Sequence, residues 1–344
     1  MLYSLQALRA FAAWMVVCHH FMQIFFDFHA SGPVGQFLSS HGAVGVDIFF
    51  VISGMVIYLS TRDKPQAPHR FLLNRVLRIV PAYWFYSLLM AMLLLAAGQW
   101  MPNQAFEWQH LFLSMLFIPA ENPGGYGMYP TLNVGWTLNF EMFFYLLFSL
   151  VFLVPQRHHL LLVTGALLVA SEVLSRFGLI SGFYGNDILY EFLLGIGIGM
   201  LYRRGLIIEG RWLPLAILAA AGLAIYHLDA SMRLLHWGLP SALVVLACVA
   251  LEPSFKGNRV LKALGDCSYS VYLIHVLVLY GGWFASQSLG LNPYAVFAVC
   301  VPVIAIASWV SYQKLERGLY RHMTAWCEAR LTPKPELALS RVNY

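Results

Sequence analysis

The chain has 344 residues, 60% of them hydrophobic and 11% charged, against about 25% charged in a soluble globular domain. That composition excludes a soluble enzyme and a disordered tail protein, and it predicts a polytopic membrane protein. The net charge of +5 is scattered over short segments rather than gathered on one face, so no nucleic-acid partner is expected. Apolar stretches at 7–26, 44–60, 77–97, 136–154, 160–176, 187–202, 212–228, 237–251, 268–286 and 294–313 predict an all-α bundle of about ten transmembrane helices.

Ten spans place both termini on one side. With the N-terminus cytoplasmic, all but three of the 21 Lys and Arg residues fall in inner segments or the tail; the exceptions are Arg9, Arg176 and Arg233. The positive-inside rule therefore predicts cytoplasmic termini. The expected organisation is a membrane domain over 1–322 and a polar, loosely ordered cytoplasmic tail over 323–344. The opening lacks a basic n-region and a small-residue cleavage site, so it reads as a span and not a cleavable signal. The five cysteines are scattered, without metal or disulfide spacing, and the twelve histidines form no ligand-like cluster. No metal is expected.

The first span carries Arg9 and His20, eleven residues apart. At 3.6 residues per turn that spacing returns to within about 20° of the same face, about 16 Å along the axis; His19 falls off the stripe. One reading is a lined reaction path, since an ionisable group at mid-depth costs about 3 kcal/mol. The other is a snorkelling Arg and a packed His. Asp47, in GVDIFFVISG, enters the outer layer as a helix cap or as a functional acid. Arg75 and Arg78 share a helical face at the inner end of the third span, either anchoring topology or converging on one phosphate.

The outer segment from Gly98 to Gly135 holds a short apolar piece at 110–120, too short to span, and a Gly-, Pro- and Tyr-rich loop. Those aromatics either stack a sugar or merely connect spans. Glu141 then lies about 7 Å inside the fourth span, one turn after Thr137. A lone acid there calls for a partner or a polar cavity. Gly195, Gly197 and Gly199 lie inside an apolar span with no preceding strand, so they read as helix packing and not as a dinucleotide loop. At the inner start of the ninth span, Asp266 is placed to cap the helix, and Ser268, Tyr272 and His275 share one face. Arg9, Arg75, Arg78 and Ser268 thus lie toward the cytoplasm. His20, Asp47 and Glu141 lie toward the outside, with Tyr272 and His275 between. Depth alone fits either a reaction across the membrane or a transporter or flippase for a lipid-linked saccharide or organic anion.

Taken in order, these blocks resemble acyltransferase family 3, the integral membrane O-acyltransferases of bacterial glycans. The resemblance rests on Arg9 and His20, Gly45 to Gly54, Arg75 and Arg78, Trp136 to Glu141, and Ser268 to His275. The opening is also similar to exopolysaccharide-modifying members. Two departures stand out: Gln6-Ala7 replaces the family's acidic-Gly pair, and Glu316-Arg317-Gly318 replaces its terminal Glu-x-Pro, so no role is carried over to Glu316. Some members add a C-terminal extracytoplasmic hydrolase-like domain that this sequence lacks, so a partner step is expected elsewhere or not at all.

The resemblance implies an enzyme of the bacterial inner membrane moving an acetyl group from acetyl-CoA to a hydroxyl of an extracytoplasmic or lipid-linked glycan. Membrane lipids and polysaccharide-assembly proteins are the other expected partners. His20 is then the catalytic base or acyl carrier, because a sugar hydroxyl needs its proton removed. Glu141 is expected to orient or charge-balance that imidazole, or to place the acceptor. Arg9, Arg75, Arg78, Ser268, Tyr272 and His275 are expected on the acetyl-CoA side, with the arginines on the phosphates and pantetheine entrance.

Overall fold

The computed structural model describes residues 2–62, 66–101 and 104–331. Among the described residues the fold is helical throughout, without strands. The helices are α1 (Tyr3–Phe26), α2 (Pro33–His41), α3 (Val44–Thr61), α4 (Pro68–Ala97), α5 (Trp108–Met115), α6 (Trp136–Ser149), α7 (His159–Leu168) and α8 (Glu191–Arg203). They continue as α9 (Trp212–His227), α10 (Leu239–Ala250), α11 (Glu252–Phe255), α12 (Arg259–Asp266), α13 (Ser268–Leu289), α14 (Pro293–Ser311) and α15 (Tyr320–Leu331).

Each predicted span corresponds to a helix in the expected order. Six helical segments are long and apolar enough to cross a membrane: Val44–Thr61, Pro68–Ala97, Asn133–Leu153, Gln156–Leu174, Ser268–Leu289 and Pro293–Cys327. The helix Trp212–His227 and the segment Leu234–Ala250 are apolar but shorter, and α8 has 13 residues. α1 has the length, at 24 residues, but its polar and ionisable residues keep it out of that set. The piece expected to be interfacial is the eight-residue α5, with Trp108 and Phe112 exposed. The tail expected from residue 323 begins as helix, since α15 runs to Leu331; both tail prolines, Pro333 and Pro335, lie outside the described residues.

Local chemistry sets the helix ends. α1 stops at Asp27 and Phe28, whose left-handed backbones let their amides donate to Gln23 O and Met22 O respectively. Pro68 and Pro293 occupy first-turn positions, where a missing N–H costs nothing, and Asn292 caps α14 by accepting from Tyr294 N and Ala295 N. Asp266, expected to cap α13, instead binds Lys262 at 2.5 Å across one turn of α12. α12 runs on through Cys267 into α13, so no side-chain cap is needed. Asp47 is likewise not a cap: α3 starts at Val44 without one.

The core gathers α1, α3, α4, α6, α8 and α13, with Phe21, Phe71, Tyr83, Phe140, Phe144 and Phe192 among its fully buried side chains. α3 and α8 cross in close contact. A Cβ on Gly195 would lie 1.9 Å from Val51 O, and one on Gly54 2.1 Å from Phe192 O; an alanine at either place forces the helices apart. Packing thus accounts for Gly195, and for Gly199, which faces the Tyr58 ring, whereas Gly197 faces open space.

Candidate active site

Arg9 from α1, Arg75 and Arg78 from α4, Ser53 from α3, Glu141 and Thr137 from α6, and Tyr269 and Tyr272 from α13 line one cavity of about 120 Å³. Five of the eight site residues expected from the sequence therefore meet here. Arg75 donates to Ser60 Oγ at 3.2 Å and lies over the Phe71 and Tyr145 rings, 5.2 and 5.6 Å from their centroids. Arg78 is exposed at the mouth. Among the described residues, none of the three arginines has a carboxylate within 4.0 Å. Three converging guanidiniums without ion-pair partners form an anion-binding surface.

Glu141 accepts hydrogen bonds from Ser53 Oγ at 3.0 Å and from Tyr145 Oη. It does not bond to His20, so the expected carboxylate–imidazole contact is absent among the described residues. The acid belongs to the arginine cavity, where it is the carboxylate facing the cations.

The partner of His20 is His275. His275 Nε2 lies 3.0 Å from His20 Nδ1, His20 Nδ1 lies 3.0 Å from Val16 O, and His275 Nδ1 lies 3.0 Å from Val271 O. A carbonyl only accepts, so the proton of neutral His275 sits on Nδ1, and its Nε2 accepts from His20 Nδ1–H. His20 Nε2 is left with a free lone pair, the form a base or nucleophile requires. His19 has other company: its Nδ1 faces Leu38 O at 3.0 Å and its ring packs on Phe28.

Tyr272 stands between cavity and histidines. It lines the cavity, its hydroxyl lies 2.8 Å from Thr137 Oγ1 and 2.9 Å from Val134 O, and its ring centroid is 6.0 Å from that of His275. Ser268 was expected on the same face; it is fully buried, does not line the cavity, and its hydroxyl has no partner among the described residues.

Three further charged groups were given no role from the sequence. Glu316, in the π-helical turn Tyr312–Leu319, accepts from Ser270 Oγ and lies within electrostatic reach of Arg9 and Arg78. Arg233 grips the fully buried Asp47 with both Nε and Nη2 at 2.9 Å, and Glu191, also fully buried, lies within electrostatic reach of both. The Arg233 guanidinium also lies 5.9 Å from the Trp136 ring and 5.4 Å from the Trp237 ring. The available signal was Arg233 itself, a cation on the side the positive-inside rule leaves poor in cations. Among the described residues no group of three or more His, Cys, Asp or Glu is placed to hold a metal ion.

Residues 2–312 match the model of the acyltransferase domain family. The chain belongs to acyltransferase family 3. It is 32% identical to the exopolysaccharide production protein ExoZ of Rhizobium meliloti, over 88% of this chain and 98% of that protein. It is 27% identical to the acyltransferase MdmB of Streptomyces mycarofaciens, over 83% and 81% respectively. The putative peptidoglycan O-acetyltransferase YrhL of Bacillus subtilis is 24% identical over 92% of this chain and 54% of its own length. No solved structure matches. Family membership and six apolar helices make this a membrane acyltransferase.

Proposed function

We propose that this protein transfers an acetyl group from acetyl-CoA, held at the cytoplasmic side of the bacterial inner membrane, to a hydroxyl of an extracytoplasmic or lipid-linked glycan. The reading includes about ten crossings with both termini inside. One observation carries it: an anion-binding cavity of three arginines ends at Tyr272, directly beside a histidine pair whose tautomers leave one lone pair free. The names of ExoZ, an exopolysaccharide production protein, and YrhL, a putative peptidoglycan O-acetyltransferase, support a glycan acceptor.

The cavity receives the acyl end of the pantetheine arm. Arg78 at the mouth and Arg75 behind it take the phosphates, while Arg9 lies further along the same path. The acetyl thioester then reaches the histidine pair. His20 Nε2 removes the proton of the acceptor hydroxyl as its oxygen attacks the thioester carbonyl. The resulting imidazolium donates Nδ1–H to His275 Nε2, which spreads the charge over the pair. Collapse of the tetrahedral intermediate breaks the C–S bond, and the thiolate takes the proton back from His20 Nε2. The products are an O-acetyl glycan and CoA. In this scheme His275 is a positioning residue and no longer part of the donor channel. Glu141 balances the arginine charge around the bound thioester.

Purified protein given isotopically labelled acetyl-CoA and de-O-acetylated oligosaccharides should release CoA and add acetyl mass to the glycan. A transporter or flippase would move saccharide with no thioester cleavage and no preference for CoA, and that outcome would overturn the proposal.

A further inference from the structure

The outer loop over 121–133 spends much hydrogen bonding on holding one exposed ring. Asn122, itself buried, accepts from Gly124 N at 2.8 Å and donates to Tyr129 O at 2.9 Å. His110 Nε2 of α5 donates to the same carbonyl at 3.1 Å, and Tyr129 N donates to Gly127 O at 2.8 Å. Two residues on, Thr131 N donates to Ser114 Oγ at 2.9 Å. Gly127, with φ 103°, supplies the turn that a side chain disfavours. A loop pinned from both sides would bury its tyrosine if the role were packing. The Tyr129 side chain is instead 38% exposed.

That ring is one side of a polar and aromatic corner. Its centroid lies 5.8 Å from that of Tyr126 and 6.2 Å from that of Trp136, the latter at 70°. Burial pushes the Tyr126 phenol up to about 12, so it stays protonated and donates to Gln104 at 3.3 Å. Trp136 in turn carries the Arg233 guanidinium over its ring. Asp47 occupies Nε and Nη2 of Arg233, while Nη1 makes no hydrogen bond among the described residues. The corner adjoins the reaction centre, because Thr137, next to Trp136, bonds to Tyr272 and Tyr272 packs on His275.

We propose that Tyr129 and Trp136, with Arg233 at their edge, form the acceptor subsite and hold one pyranose ring of the glycan. A pyranose offers a patch of C–H bonds to an aromatic face and equatorial hydroxyls to a guanidinium. Two rigid rings at an angle, beside the unbonded Nη1 amino group of Arg233, match both features. A preformed loop binds without paying to order itself. The proposal rests on the acyl-transfer reading above and names where its acceptor docks.

The test is kinetic, with chemically de-O-acetylated exopolysaccharide from cells carrying this protein, cut to oligosaccharides, as the probe. Tyr129→Ala should raise the acceptor KM about 3- to 10-fold. Tyr129→Phe should keep the wild-type KM, since the ring remains. Both variants should bind acetyl-CoA normally and show the same thermal melting. An unchanged acceptor KM in Tyr129→Ala, with normal donor binding, overturns the subsite and leaves the acyl-transfer reading intact. A fall in kcat or donor affinity at constant acceptor KM also overturns it. A wild-type protein that never cleaves acetyl-CoA removes the parent reading instead.

Discussion

Replacing His275 separates the histidine pair from every other account of this cavity. In His275→Ala, His20 Nδ1–H keeps Val16 O at 3.0 Å, so the tautomer with Nε2 free still forms. What disappears is the acceptor 3.0 Å away that shares the imidazolium charge in the proposed mechanism. A hydrogen bond to a charged group contributes about 1.5–3 kcal/mol, and about 1.4 kcal/mol is tenfold in rate, so kcat should fall about 10- to 150-fold. The acetyl-CoA KM should stay within about twofold, because the phosphate-facing arginines are untouched. His275→Gln places a carbonyl oxygen in the same region and should recover part of the loss. The assay is release of CoA thiol against time, with acceptor mass as control and thermal melting to confirm folding. A kcat equal to wild type, or a rise in acetyl-CoA KM at constant kcat, refutes the positioning role and returns His275 to the donor channel.

His20→Ala should lose more than His275→Ala, about 10²- to 10⁴-fold as expected for a removed general base, while His19→Ala, whose ring faces Leu38 and Phe28, should stay near wild type in the same assay. Arg75→Ala and Arg78→Ala should each weaken acetyl-CoA binding by about 1.5–3 kcal/mol in titration calorimetry, with a smaller penalty for dephospho-CoA at the residue that meets the 3′-phosphate. Glu141→Gln, which removes the carboxylate facing the arginines and leaves the Ser53 and Tyr145 contacts in place, should lower kcat without weakening donor binding, the cavity becoming more positive. Asp47→Asn should destabilise the protein by about 3–5 kcal/mol in thermal or denaturant unfolding, because it strands a partly buried guanidinium.

Spacing within single helices made half of the site legible. Arg75 and Arg78 share a face because they are three residues apart, and Tyr272 and His275 for the same reason. Arg9 and Glu141 were visible because an isolated charge in an apolar span demands a polar surrounding. Pairings between helices were not visible. His20 and His275 lie 255 positions apart, and Asp47 and Arg233 186 apart. Which side chains meet at such range depends on how α1, α3 and α13 cross, and those crossings follow from backbone approaches such as Gly54 on Phe192. Among the described residues Glu141 bonds to Ser53 and Tyr145 rather than to His20, a choice that depth cannot foretell because it fixes height in the bundle and not direction around it. Glu316 was given no role because its Glu-Arg-Gly departs from the family's Glu-x-Pro, and its contact with Ser270 spans two helices. The count of ten spans was read from hydropathy windows; six helical segments are long and apolar enough to cross a membrane, while α8, α9 and α10 have 13, 16 and 12 residues.

The most direct test reconstitutes the protein into sealed vesicles, sorts the two orientations by protease access to the C-terminal tail, and supplies labelled acetyl-CoA on one side and de-O-acetylated oligosaccharide on the other. Transfer across the membrane should occur only when acetyl-CoA meets the face bearing Arg78 and the C-terminus, and His20→Ala should abolish it in that orientation. Transfer with both substrates confined to the outer face, or saccharide movement without loss of the thioester, would contradict the proposed reaction.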